Sequence, residues 1–252
     1  MRIYLAGVSR GYQEQVENQH CLVSFAVPSE RRLIKEGWNV KGWMLDSGAF
    51  TAWKLGKVID LDEYIAFVKE HKHLLDGFIA LDVIPGAPGR LPTKEEADTA
   101  YRQTLDNIEA MESVGLNPIP VYHQGEPIAV LDHYVEKGYE LIALGATESR
   151  GKPELIDWLL PLFQRHPGQK FHGLAMTQQR LIRWLPFWSV DSTTWLCFQK
   201  YGVDANVYLL KNRTPAFYRS LGVACLMDTP KCPEDAPPAV NGLLPMFQFD
   251  PQ

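Results

Sequence analysis

Trp43-Met44-Leu45-Asp46-Ser47-Gly48 is an apolar run of strand length closed by a carboxylate, a hydroxyl and a glycine. Three further strand-like apolar stretches close on a carboxylate or an amide: Phe78-Ile79-Ala80-Leu81-Asp82, Ile119-Pro120-Val121-Tyr122-His123-Gln124-Gly125, and Phe187-Trp188-Ser189-Val190-Asp191-Ser192. Parallel α/β barrels keep their chemistry at the C-terminal ends of their strands. A carboxylate closing a buried strand is costly to desolvate unless something there uses it. For any single Asp, a helix N-cap following the strand is an adequate explanation. Three acids at equivalent places point to one shared site.

Working outward, strand-like and helix-like segments alternate along the chain. The strand candidates are residues 3–8, 42–45, 78–81, 118–122, 141–144, 170–175, 187–190 and 206–210. They are short and continuously apolar, as strands buried on both faces are. Between them, Thr93-Lys94-Glu95-Glu96 is a capping box that opens a helix through Val114, ended by Gly115. Leu61, Tyr64, Ile65 and Val68 have helical spacing over 61–71. Further helices are expected over 126–137 and from Pro153 to Arg165. Eight strands alternating with helices in 252 residues predict a single-domain (β/α)8 TIM-type barrel over 1–224. A Pro-rich C-terminal tail follows over 225–252.

Composition narrows the function classes. At 46% hydrophobic and 22% charged, the chain is ordinary for a globular protein. No apolar run approaches the roughly 18 residues of a membrane span, and Met1–Val8 reads as a first strand rather than a signal peptide. Cys21, Cys197, Cys225 and Cys232 show no CxxC or CxH spacing, and a chain this long with its own core needs no disulfide framework, so a reducing cytoplasm is expected. Cys225 and Cys232 could pair or bind metal, but no His or second Cys pair stands beside them, and neither a metal nor a cofactor is expected. A net charge of −5 argues against a generally basic nucleic-acid binder. Residues 178–220 depart from this, with Arg180, Arg183, Lys200, Lys211, Arg213 and Arg219 against Asp191 and Asp204. A solvated surface explains such a run; a polyanion approaching that side explains it too.

Two carboxylates flanking one bond are the minimum for retaining glycosyl transfer. One attacks the anomeric carbon and the other handles the leaving-group proton, at a separation of about 5–5.5 Å. Asp46 and Asp191 are candidates for that pair, and Asp82 for hydrogen bonds to a polar heterocycle. The surroundings suit a flat ligand. Ser47 and Gly48 are small, Phe50 either stacks on a base or packs its own helix, and Gln124-Gly125 offers an amide beside a permissive backbone. Gly173, in His172-Gly173-Leu174-Ala175, offers an unobstructed N–H.

In this order, Asp46-Ser47-Gly48-Ala49-Phe50, Asp82, Gln124-Gly125, Gly173-Leu174-Ala175 and Asp191 resemble the tRNA-guanine transglycosylase superfamily, barrels that exchange guanine in a polynucleotide for a 7-deazaguanine. The resemblance implies that Asp191 is the nucleophile and Asp46 the general acid/base. It further implies that Asp82, Gln124, Gly125, Gly173, Leu174, Ser47 and Gly48 bind the base, with Phe50 stacking on it. The family's CxCxxC…His zinc site has no counterpart here, since no His follows His172. After Asp191 the chain reads Ser192-Thr193-Thr194-Trp195 rather than the family's Cys…Pro-Thr-Arg. The chain thus resembles the short relatives, lacking the zinc subdomain, that insert 7-deazaguanines into DNA in phages and bacteria. DNA is then the expected polymer, with tRNA the alternative, and Arg180, Arg183, Lys211 and Arg213 become candidate phosphate contacts. A homodimer or protein partners that open DNA are compatible with this reading, and the expected location is the cytoplasm (of the host, if phage-encoded).

Rival chemistries are a metal-dependent hydrolase, with His123 and His172 joining the acids, a glycoside or nucleoside hydrolase, and an inactive nucleic-acid-binding barrel. His71-Lys72-His73 does not support the first. At a helix end its two rings point about 200° apart, and it reads as a solvated helix terminus.

Overall fold

The computed structural model describes residues 1–87, 90–146, 155–177, 181–182, 185–193 and 195–196. Eight strands form one all-parallel sheet: β1 (Arg2–Ala6), β2 (His20–Ser24), β3 (Gly42–Asp46), β4 (Leu75–Phe78), β5 (Val121–His123), β6 (Leu141–Gly145), β7 (Lys170–Gly173) and β8 (Ser189–Ser192). Their spatial order is β4-β3-β2-β1-β8-β7-β6-β5. The sheet is curled. A parallel bridge joins Ile79, just past β4, to Ile119, just before β5. There the Ile119 amide donates to Phe78 O at 2.9 Å and the Ala80 amide to Ile119 O at 2.8 Å. This α/β architecture is compatible with a TIM-like fold.

The helices are α1 (Pro28–Lys35), α2 (Ala49–Leu55), α3 (Leu61–His71), α4 (Lys94–Ser113), α5 (Ile128–Glu136) and α6 (Leu155–Arg165). Local chemistry sets their ends. Thr93 and Glu96 form the expected reciprocal capping box on α4, and Gly115, at φ +77°, follows its end. Asp60 caps α3 by accepting from the Glu63 amide at 2.9 Å. Pro161 lies inside α6, and Pro153 lies outside the described residues.

Strand side chains alternate between two cores. Tyr4, Ala6, Leu22, Met44, Ile79, Ile119, Val121 and Ala143 fill the inside of the curl. Outward neighbours pack on the helices in two clusters. Leu5, Cys21, Val23, Trp43 and Leu45 belong to one, Tyr122, Ile142, Leu144, Phe171 and Val190 to the other. Both faces of the sheet are therefore buried, which is why strands such as β1 and β6 carry consecutive apolar residues.

The sequence reading needs correction at several elements. β2 was not among the expected strands, yet it pairs with both β1 and β3. Only Cys21, Leu22 and Val23 are apolar there, between a His and a Ser. The strand expected at 206–210 lies outside the described residues, as do the tail 225–252, Arg180, Arg183, Lys211 and Arg213. β4 ends at Phe78, so Asp82 stands four residues beyond its strand, while Asp191 lies within β8. The helix expected from 126 begins at Ile128. His71 is not solvated. It is 4% exposed, its Nδ1 lies 2.8 Å from Phe67 O, and its ring stacks on Phe67. Among the described residues no helix is long and apolar enough to cross a membrane.

Candidate active site

Asp46 closes β3, and its Oδ2 accepts from the Gly48 amide at 3.0 Å. The turn needs Gly48 at φ +83°, and a Cβ there would lie 2.3 Å from Ala26 Cβ and 2.9 Å from Ala26 N. Gly48 thus serves the turn and its packing on the exit of β2. Ser47 Oγ accepts from the Ala49 amide at 3.2 Å and donates to Asp82 Oδ1 at 3.3 Å. The Asp-Ser-Gly stretch therefore aims one acid and tethers the next.

Asp82 is held from the helix side. The Val83 amide donates to Thr104 Oγ1 at 2.9 Å and Asn107 Nδ2 to Leu81 O at 2.8 Å, so α4 grips the chain on both sides of the acid. The other carboxylate oxygen of Asp82 meets His123 Nε2 at 2.9 Å. His123 Nδ1 lies 3.5 Å from Glu126 Oε1 but makes no hydrogen bond. Glu126 Oε2 accepts from the His123 amide at 2.6 Å. Burial disfavours the imidazolium, but the charges of Glu126 and Asp82 outweigh it and raise the His123 pKa to about 10.

Asp191 lies on the far side of β1, paired in register with Tyr4. Its Oδ1 accepts from the Ala175 amide at 3.0 Å and faces His172 Nε2 at 3.2 Å. Ala175 adopts φ +55°, a left-handed conformation uncommon for alanine.

The three acids share one electrostatic environment. Burial raises the pKa of Asp46 most, the negative charges of Asp82 and then Asp191 raise it further, and together they bring it to about 7. Asp46 as a residue is half-buried. The buried Ser24 hydroxyl at the end of β2 also favours the ionised form, although it makes no well-formed hydrogen bond. Around neutral pH the site therefore combines an acid that readily gives and takes a proton with a second carboxylate anchored by donors.

No family model matches this chain, and no curated protein sequence matches it.

The remaining residues expected at the site fall into two groups. Gln124 and Gly125 follow β5 beside His123; Gln124 is buried, and Gly125, at φ +95°, packs on Pro92. Leu174 faces the inner core, with its amide donating to Leu144 O at 3.1 Å. Gly173 faces outward instead: a Cβ there would lie 2.9 Å from Phe187 and 3.0 Å from Met176. Phe50 is half-buried on α2 against Trp53, with Lys54 Nζ 4.5 Å from its ring centroid. Sequence reading gave no place to Glu126, Ser24, Thr104, Asn107 or Ser189. Of these, Glu126 had a signal, standing two residues past the Gln124 that closes its strand. Among the described residues, no group of three or more His, Cys, Asp or Glu has the arrangement of a metal site.

Proposed function

We propose that this protein is a DNA-guanine transglycosylase, exchanging guanine in DNA for a 7-deazaguanine through a covalent Asp191–sugar intermediate. The observation that carries the reading is the unequal treatment of the acids. Asp46 is tuned to about 7 by burial and by its two acidic neighbours, while Asp191 is fixed by two donors. In the first displacement Asp191 attacks the anomeric carbon and Asp46 protonates the departing guanine. In the second, Asp46 takes a proton from the incoming base, which displaces Asp191. Asp82, tethered by Ser47 and His123, receives N–H groups of the base. A guanine within a duplex must be flipped out to reach these groups. The fold belonging to this proposal is a closed (β/α)8 barrel, supported by the strand order and the Ile79–Ile119 bridge.

Labelled guanine supplied with unlabelled DNA tests the reading. The label is expected to enter DNA without net depurination. Entry into tRNA alone would move the assignment to a tRNA enzyme, and depurination without exchange would make the protein a hydrolase.

A further inference from the structure

His172 has no solvent exposure and lies on β7 against two residues of β8. Its Nδ1 meets Ser189 Oγ at 2.8 Å and its Nε2 meets Asp191 Oδ1 at 3.2 Å. A carboxylate only accepts, so the ring proton facing Asp191 sits on Nε2. Ser189 Oγ occupies the other ring nitrogen, Nδ1, and fixes the plane of the imidazole. Since the Ala175 amide also donates to Oδ1, both contacts of the carboxylate among the described residues fall on one oxygen. Among the described residues Oδ2 carries no such contact, so it is the oxygen assigned to the sugar below.

Resting on the nucleophilic role of Asp191 proposed above, we infer that His172 is a positioning residue that makes the Asp191–sugar ester a good leaving group. In the first step Oδ2 bonds to the anomeric carbon. The carbon–nitrogen bond to guanine breaks, and its electron pair leaves with the base, which takes the Asp46 proton. Oδ1 remains as the ester carbonyl oxygen beneath the N–H groups of His172 and Ala175. In the second step the incoming base gives its proton to Asp46 and attacks the same carbon. The carbon–Oδ2 bond breaks, and its electron pair returns to the carboxylate, which shares the charge with Oδ1. The donors stabilise that regrowing charge more than they stabilise the neutral ester. By the same logic they slightly restrain the first attack.

The signature is a change in partition, which a packing role would not produce. His172→Asn places an amide near the former Nδ1 and loses the donor to Asp191, while His172→Gln places one near Nε2 and keeps it. In single-turnover reactions with guanine-containing DNA followed by a 7-deazaguanine, the His172→Asn adduct is expected to accumulate. Its breakdown should be roughly 10- to 100-fold slower than in the unaltered protein, with His172→Gln restoring most of the rate. Equal slowing of formation and breakdown in His172→Asn, with no rescue by Gln, would overturn the inference. Should the buried amides prevent folding, Ser189→Ala keeps the imidazole and removes only its Nδ1 partner. A longer adduct lifetime in that variant supports the inference and an unchanged lifetime contradicts it. No adduct in the unaltered protein would instead defeat the transglycosylase reading and this inference with it.

Discussion

At the N-terminal end of the sheet interior, the Asp76 carboxylate accepts from the Tyr4 hydroxyl at 3.1 Å and meets His20 Nδ1 at 3.1 Å. At the C-terminal end, Asp46 has a hydrogen bond from the Gly48 amide and two other acids for company. Both ends thus hold aspartates against a sheet that disfavours charge. Burial pushes Asp76 up, but the donors His20 and Tyr4 outweigh it and leave its pKa below the ordinary carboxylate value. Burial pushes Asp46 up as well, and there like charges add to it, reaching about 7. Residue type does not distinguish Asp76 from Asp46; the local balance of donors and like charges does.

The comparison breaks most visibly through activity. Asp191→Ala is expected to lower base exchange by roughly 10⁴-fold or more, while Asp76→Asn, if folded, leaves it within about twofold because it is remote from the reacting atoms. Rates measured side by side on one DNA substrate check this. Asp46→Asn comes next: loss of the proton donor should slow guanine release by roughly 10²- to 10⁴-fold. In the unaltered protein, release should slow as pH rises through about 7, because Asp46 then loses the proton it must give. The variant's profile should lack that limb.

Stability should respond with opposite signs at the two ends. A carboxyl whose pKa is raised on folding favours the folded state at low pH and loses that advantage as pH rises through the folded value. Asp46→Asn is therefore expected to raise Tm at pH 8, with the gain shrinking as pH falls from about 7 toward 4. Asp76, lowered on folding, contributes above its ordinary value of 3.8 and loses that contribution as pH falls below it. Asp76→Asn should lower Tm at neutral pH, with the deficit fading in acid. Thermal melts across pH 3–9 would show whether the two curves diverge in this way. The smallest effect belongs to Ala175→Gly. Relieving the alanine at φ +55° should stabilise the fold by about 1 kcal/mol or less, as denaturant titration would measure.

The legible parts of the molecule were those written in local chemistry. Thr93 with Glu96 and the helical spacing of Leu61–Val68 place α4 and α3 directly, because caps and periodicity act over a few residues. Asp46 and Asp191 could be singled out because each ends or occupies a strand buried on both faces. β2 escaped notice because its short apolar centre between His20 and Ser24 is stabilised mainly by β1 and β3 on either side. The same limit hid the partners of the acids. His123 reaches Asp82 across 41 positions of sequence, and α4 grips the Asp82 loop through Thr104 and Asn107. Gly48 approaches Ala26 closely, and Gly173 approaches Phe187 and Met176, packing that a sequence does not show.

Peptide mapping of the protein trapped on guanine-containing DNA tests the central assignment most directly. After denaturation and digestion, the account predicts one sugar-linked peptide, modified at Asp191, with free guanine released in equal amount and no such peptide from Asp191→Ala. A linkage at another residue, or an adduct that persists in that variant, would contradict it.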